Sequence, residues 1–277
     1  MAAITVIHGI GQQLRGEYTL RDRLLAALRD GAGLAGGDVA PEDVAFAAYG
    51  ELFRPPAEVL APEVRHDARD LTEKDEQELL LLWWRRAAEV DPKVVSPDDE
   101  VLARPPVWVV RALAALSRSA FLARVTESMF VGALKQTSAY LREPEVRAYA
   151  QAALAAKITD DTRVVVAHSL GSVVAYEALC AHPEWPVRTL VTLGSPLGIP
   201  NLIFERLRPE PGRWPGSIAN WTNVADPADV VATVPDLRPL FGERITQISV
   251  HNGAHAHDLR PYLSERLTGA AILAGLA

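Results

Sequence analysis

The sequence predicts an α/β fold built on a parallel sheet, and three observations carry that expectation. Short β-rich runs recur at 2–9, 44–50, 162–169, 187–195, 217–224 and 243–252. Each is continuously apolar rather than alternating, as strands covered on both faces are. Helical patterns at 17–30, 144–157, 170–181 and 258–274 lie between them. Such alternation implies a parallel sheet of about six strands joined by crossover helices. Ligands of open α/β sheets bind beyond the carboxyl ends of the strands. Every residue singled out below for its chemistry follows one of the β-rich runs.

Residues 51–143 interrupt the rhythm with Pro-rich breaks ("FRPPAEVLAP", "ARPPVW"), a charged helix start and a long apolar segment over 107–142. They are expected to form a helical insertion between the second and third strands, either a lid over a site or an extra packing layer. The acidic run "TEKDEQE" suits the first turn of a helix, where the macrodipole favours negative charge. Of Trp83 and Trp84, one ring is expected to be buried and the other to reach the surface.

The chain has 277 residues, 49% hydrophobic and 23% charged, which fits a single α/β domain over 1–277. A net charge of −7 leaves no basic footprint for nucleic acid. The single cysteine, Cys180, sits in an apolar helical run, where inert packing is expected. One cysteine makes no intrachain disulfide, which favours a reducing compartment. The start "MAAITVIHGIG" lacks the basic flank and apolar length of a signal peptide, and the apolar segment 107–125 carries Arg111, Arg118 and Arg124. A cytoplasmic protein without a transmembrane segment is therefore expected.

In "VVVAHSLGSVVAYEAL" (164–179) an apolar strand stops at Ala-His-Ser-Leu-Gly and a helix begins at once. Ala167 and Gly171 are small enough for a sharp strand-to-helix turn around Ser169. The helix opening at Leu170 aims free N–H groups and partial positive charge at the hydroxyl, an arrangement suited to a developing oxyanion. A serine here can also be a simple N-cap. A second glycine loop, "VIHGIGQQ" (6–13), follows the first run. A dinucleotide fingerprint would need a third glycine at position 14, which is Leu14, so no nucleotide cofactor is expected. His8 is expected to brace this loop. Downstream, "NWTNVADPADVVATVP" (220–235) offers Asp226 and Asp229, and "HNGAHAHDLRPYL" (251–263) offers His251, His255 and His257. The histidines could suggest a metal site, but Asn252-Gly253 favours a turn over a helix that would align them.

In this order a strand-end serine, an upstream His-Gly loop and downstream Asp and His resemble the α/β-hydrolases, nearest to their lipase and esterase branches. "LVTLGSPLG" (190–198) resembles the same group. The likeness covers 1–50 and 160–277. It implies Ser169 as nucleophile in a nucleophile elbow, with Ala167 where the family usually has glycine. It implies Ile10 and Leu170 as backbone oxyanion donors. Matching Asn223, Asp229-Val230-Val231 and Pro235 to the family's acid loop puts the triad acid at Asp229, with Asp226 as alternate. The histidine followed by "xxxxYL" implies His257, with His255 as alternate. The implied activity is hydrolysis of a carboxylic ester, acyl lipids included, through an acyl-enzyme and without metal or organic cofactor. The alternative is a non-catalytic binding or interaction protein on the same fold. Because the chain starts at the oxyanion strand, a reduced and wholly parallel sheet is expected.

Overall fold

Six short segments rich in Val, Ile and Thr pair side by side into one parallel sheet: β1 (Ile4–Ile7), β2 (Val44–Ala47), β3 (Val164–His168), β4 (Thr189–Leu193), β5 (Asn220–Ala225) and β6 (Thr246–Ser249). Their order across the sheet is β2-β1-β3-β4-β5-β6, and every neighbouring pair is parallel. The computed structural model describes residues 2–54, 66–97, 107–119 and 126–277. In β3 all five residues are buried, because Val164 and Val166 face one apolar cluster while Val165 and Ala167 face another. That double burial is why β1, β3 and β4 read as largely apolar runs. β6 departs from the expectation: it is a sheet edge, its residues are half-buried or exposed, and only Ile248 packs toward a core.

Helices cover both faces. On one lie α1 (Glu17–Leu34), α8 (Leu259–Ser264) and α9 (Arg266–Leu276), whose apolar stripes share a cluster with Ile4, Val6 and Val166. On the other lie α2 (Lys74–Val90), α3 (Val107–Leu116), α4 (Glu127–Arg142), α5 (Pro144–Ala155) and α6 (Leu170–Ala181). A one-turn helix, α7 (Arg238–Phe241), precedes β6.

The terminal helix expected over 258–274 is two helices, because Glu265 is extended (φ −71°, ψ 129°) between α8 and α9. Close packing against α1 accompanies the break. A Cβ on Gly31 would lie 2.2 Å from the Leu263 carbonyl oxygen, and one on Gly269 would lie 2.0 Å from that of Gly31. Helix backbones meet where neither residue has a side chain.

The insertion contributes a core layer. Leu80, Trp83, Phe130 and Leu134 are buried in the cluster that holds Val165 and Leu170. The expectation for the tryptophans needs correction: both rings are 2% exposed, and Trp84 Nε1 donates to the Val95 carbonyl at 2.7 Å instead of reaching water. The acidic run does open α2, with Glu73 at the N-cap and a reciprocal bond to Glu76. Asp75 and Glu76 are nevertheless buried, held by Arg206, Lys135 and Ser138. The prolines of the Pro-rich breaks and Arg124 lie outside the described residues. Cys180 is buried, and burial pushes its thiol up to about 11, which keeps it protonated and inert.

From β1 the chain crosses to β2 at the edge, then returns past β1 to β3 on the other side. The loops leaving β1 and β3 thus diverge from neighbouring strands, which opens a crevice beyond their carboxyl ends. Both glycine-bearing motifs fall there.

Candidate active site

Ser169 stands between β3 and α6 with φ 53° and ψ −132°, one of two non-glycine residues at positive φ among those described. A side chain in this region costs on the order of 1–3 kcal/mol, and surrounding contacts must hold it there. Two hydrogen bonds do so. The Ser169 N–H donates to the Leu193 carbonyl at 3.0 Å. The Ser172 hydroxyl donates to the Ser169 carbonyl at 2.6 Å and lies 2.7 Å from the Ser195 hydroxyl. Small residues then permit the close approach: a Cβ on Gly171 would lie 2.3 Å from the His8 carbonyl oxygen, and one on Gly9 would lie 2.5 Å from Ser169 Cβ.

His257 bridges the serine and an acid. Its Nε2 is 2.9 Å from Ser169 Oγ, and its Nδ1 is 2.8 Å from Asp229 Oδ2. An acceptor-only carboxylate at Nδ1 requires the proton there, which leaves Nε2 free to accept from the hydroxyl. Asp229 is fully buried but well partnered: Oδ1 accepts from the Val231 and Ala232 N–H groups at 3.0 and 3.4 Å, and Oδ2 accepts from the Tyr262 hydroxyl at 2.9 Å. Burial, with Asp229 beside it, pushes the Tyr262 phenol far above its ordinary range, so it remains a donor.

The other candidates of those two loops do different work. Asp226 is fully buried, and it ties loops together: Oδ1 accepts from Ala228 N–H at 2.8 Å and Oδ2 from Asn252 N–H at 2.5 Å. His251 is exposed, 3.9 Å from Asp226. His255 ends the short turn Gly253–His255 and lines the cavity wall, while His257 makes the contact with Ser169. Asn223, the first residue matched to the acid loop, closes it physically, since Nδ2 donates to the Pro235 carbonyl at 2.9 Å.

His8 braces the first loop. Its ring stacks on Tyr49 at 4.4 Å, lies 2.5 Å through Nδ1 from the Gly9 carbonyl, and accepts the Tyr49 N–H at Nε2, 3.2 Å away. That pattern fits the neutral ring, and burial drives its pKa down to about 4. Gln136 of α4 reaches the same loop, accepting the Gly11 N–H at 3.0 Å. Leu170 opens α6, so its N–H has no intrahelical acceptor.

Three contributors had no assigned role in the sequence. His168 is buried, Nε2 donates to the His257 carbonyl at 3.0 Å, and burial, then the neighbouring His257, hold it well below the ordinary histidine range. Gly194 has φ +52°, and a Cβ there would lie 2.6 Å from Asp229 Oδ2. The signal for it was a glycine ending an apolar strand in "LVTLGSPLG". Tyr262 gave none beyond its place in the "YL" pair.

These residues open onto a cavity of about 420 Å³, walled by Ile10, Trp83, Phe130 and Val231 beside Ser169 and His257. Among the described residues no group of three or more His, Cys, Asp or Glu could hold a metal ion, and no helix is long and apolar enough to cross a membrane. No protein-family model, curated protein or solved structure matches the chain. The architecture itself, a six-stranded parallel sheet with crossover helices, is common to many α/β superfamilies, hydrolases among them.

Proposed function

We propose that the chain is a serine hydrolase of α/β-hydrolase type that cleaves a carboxylic ester through an acyl-enzyme. The observation that carries the reading is the pair of hydrogen bonds at His257, 2.9 Å to Ser169 and 2.8 Å to Asp229, formed at a serine held at positive φ. A serine that was only an N-cap would need neither the bridging histidine nor the backbone strain.

In this mechanism His257 Nε2 takes the proton from Ser169 Oγ as the oxygen attacks the acyl carbon. The carbonyl oxygen becomes an oxyanion, received by the backbone N–H groups of Ile10 and Leu170. Asp229 accepts from Nδ1 and steadies the imidazolium. Collapse breaks the bond to the leaving group, which takes the proton from His257. A water then gives its proton to Nε2, attacks the acyl-enzyme and releases the carboxylic acid with Ser169 restored. His168, Tyr262 and Gly194 act as positioning residues, setting where His257 and Asp229 stand. The helices of the insertion wall the cavity through Trp83 and Phe130, which suits an apolar acyl group.

Labelling with an uncharged fluorophosphonate tests this. Wild type should label, Ser169→Ala should not, and His257→Ala and Asp229→Ala should slow labelling by about 10³-fold or more. Folded Asp226→Ala should label within about tenfold of wild type, because that acid ties loops. A folded wild type that does not label would refute the proposal in favour of a binding protein on the same fold.

A further inference from the structure

The wall of the cavity is divided by chemistry. From the sheet face that carries α2 and α4 come Trp83, Met129, Phe130 and Ala133, all apolar. From the other side come three guanidinium groups: Arg15 on the loop after β1, Arg23 on α1 and Arg260 on α8. Leu20 and Leu24 of α1 lie beside them. Asp258 is the one carboxylate in the lining, and it is already taken, with Oδ2 accepting from Arg260 Nη2 at 2.6 Å.

The remaining two cations lack such partners. Arg15 Nη1 donates at 2.7 Å to the neutral Gln12 side chain, and Arg23 makes no hydrogen bond or ion pair with the described residues. Arg15 is half-buried. Burial, then the charge of Arg23, lowers its pKa, with Arg260 adding to this and Asp258 opposing. Like charges have therefore been gathered beside Ser169 on a chain whose net charge is −7. Gathering them disfavours the empty site, and an anion between them removes the repulsion while accepting charge-assisted hydrogen bonds from two planar forks.

We infer that the substrate of this site is an acyl ester bearing a negatively charged group, carboxylate or phosphate, received by Arg15 and Arg23 while its apolar part lies along Trp83 and Phe130. The inference rests on the hydrolase reading for the word ester, and on the cavity wall alone for the anion.

Two readouts keep these apart. Binding is measured by calorimetry on Ser169→Ala with two matched pairs: monohexyl phosphate against hexanol, and monomethyl adipate against dimethyl adipate. The anionic member of at least one pair should bind about tenfold or more tightly than its neutral partner, a preference that weakens with added salt. The pair showing it tells phosphate from carboxylate. In R15Q/R23Q the preference should fall to within about twofold. Arg23 is exposed, so the single R23Q variant, expected to lose part of the preference, serves if the double variant does not fold. Equal affinity for both members of both pairs, no binding of either, or a preference that survives R15Q/R23Q would overturn the inference. Fluorophosphonate labelling of wild type is scored separately. Labelling without anion preference discards the inference and leaves the hydrolase; anion preference without labelling leaves the arginine site and discards the ester.

Discussion

Gly194→Ala offers the sharpest test of how the site is held. At φ +52° an alanine costs about 1–2 kcal/mol in backbone strain. Its Cβ would also stand 2.6 Å from Asp229 Oδ2, 3.1 Å from Tyr262 Cε2 and 3.3 Å from His257 Nδ1. None of these is the far end of a flexible chain. Asp229 is anchored by two backbone N–H groups and Tyr262 by its contacts to both acids. Overpacking of this kind costs about 1–3 kcal/mol, so the total loss should be about 2–5 kcal/mol. Over most of the usual range of about 5–15 kcal/mol of stability that loss leaves the domain folded. The catalytic loss should be larger in proportion, because the methyl pushes on the bond between Asp229 and His257, where a 1 Å displacement costs about 10²-fold. Gly36→Ala separates the two effects. Gly36 has φ +89° with nothing within 4 Å of a Cβ, so it carries the strain without the clash. Urea unfolding and the fluorophosphonate labelling rate are measured for both. Gly194→Ala should lose stability and about 10² in labelling rate, and Gly36→Ala only stability. A folded Gly194→Ala that labels at the wild-type rate would refute the assignment of Asp229 and His257.

Three further outcomes are expected. Tyr262→Phe removes the donor to Asp229 and leaves the buried Asp226 N–H without its acceptor, so it should cost about 1–3 kcal/mol in urea unfolding and slow labelling on the order of tenfold. His8 is neutral in the folded chain down to about pH 4, whereas the unfolded chain takes up a proton below its ordinary value of 6.5. Its contribution is therefore complete above 6.5 and is lost as pH falls from there toward 4, an amount of about 3 kcal/mol at full shift. The urea midpoint should fall across that window, less steeply in His8→Asn; equal slopes would refute the role. Glu177→Ala strands Arg147, since that buried carboxylate accepts from Arg147 at 3.0 Å and from Tyr140 at 2.7 Å. Losing one partner of a buried pair should cost about 3–5 kcal/mol in unfolding, with the labelling rate of folded protein unchanged.

The sheet was legible because both its faces are buried: in β3 the run Val164–Ala167 is apolar at every position, and that leaves a plain mark in the sequence. β6 was found by composition yet misjudged in burial, since three of its four residues are polar and Gln247 turns its side chain to Asn223 and Leu237. The paired tryptophans misled for a related reason. Adjacent positions on a helix point about 100° apart, so one buried and one surface ring is the natural expectation unless a second layer covers the helix. Here α3 and α4 share that buried cluster, and the loop after α2 supplies an acceptor for Trp84. Ser169 and His257 could be singled out as candidates because each occupies a stretch of distinctive composition. His168 and Tyr262 could not, because a buried histidine or tyrosine reads the same whether it holds a backbone carbonyl, an acid or nothing.

The choice between Asp226 and Asp229 shows where spacing stops and geometry begins. Both acids are fully buried, both follow β5, and both cap their own loop through backbone N–H groups. They differ in what the remaining oxygen meets. Asp226 spends Oδ2 on the Asn252 N–H and so fixes the loop that carries the histidines. Asp229 has Oδ2 left for His257 and Tyr262. Tyr262 connects the pair, its oxygen accepting from the Asp226 N–H while its proton goes to Asp229. The loop after β5, the loop after β6 and α8 are thus one hydrogen-bonded unit. Loss of Asp226 should then appear first as a floppier histidine loop, while on the proposed mechanism loss of Asp229 removes the group that orients and steadies the imidazolium. Hydrogen exchange across 250–258 distinguishes them: faster in Asp226→Ala than in Asp229→Asn, with labelling rates in the reverse order of damage. The opposite ranking in both readouts would exchange the roles of the two acids.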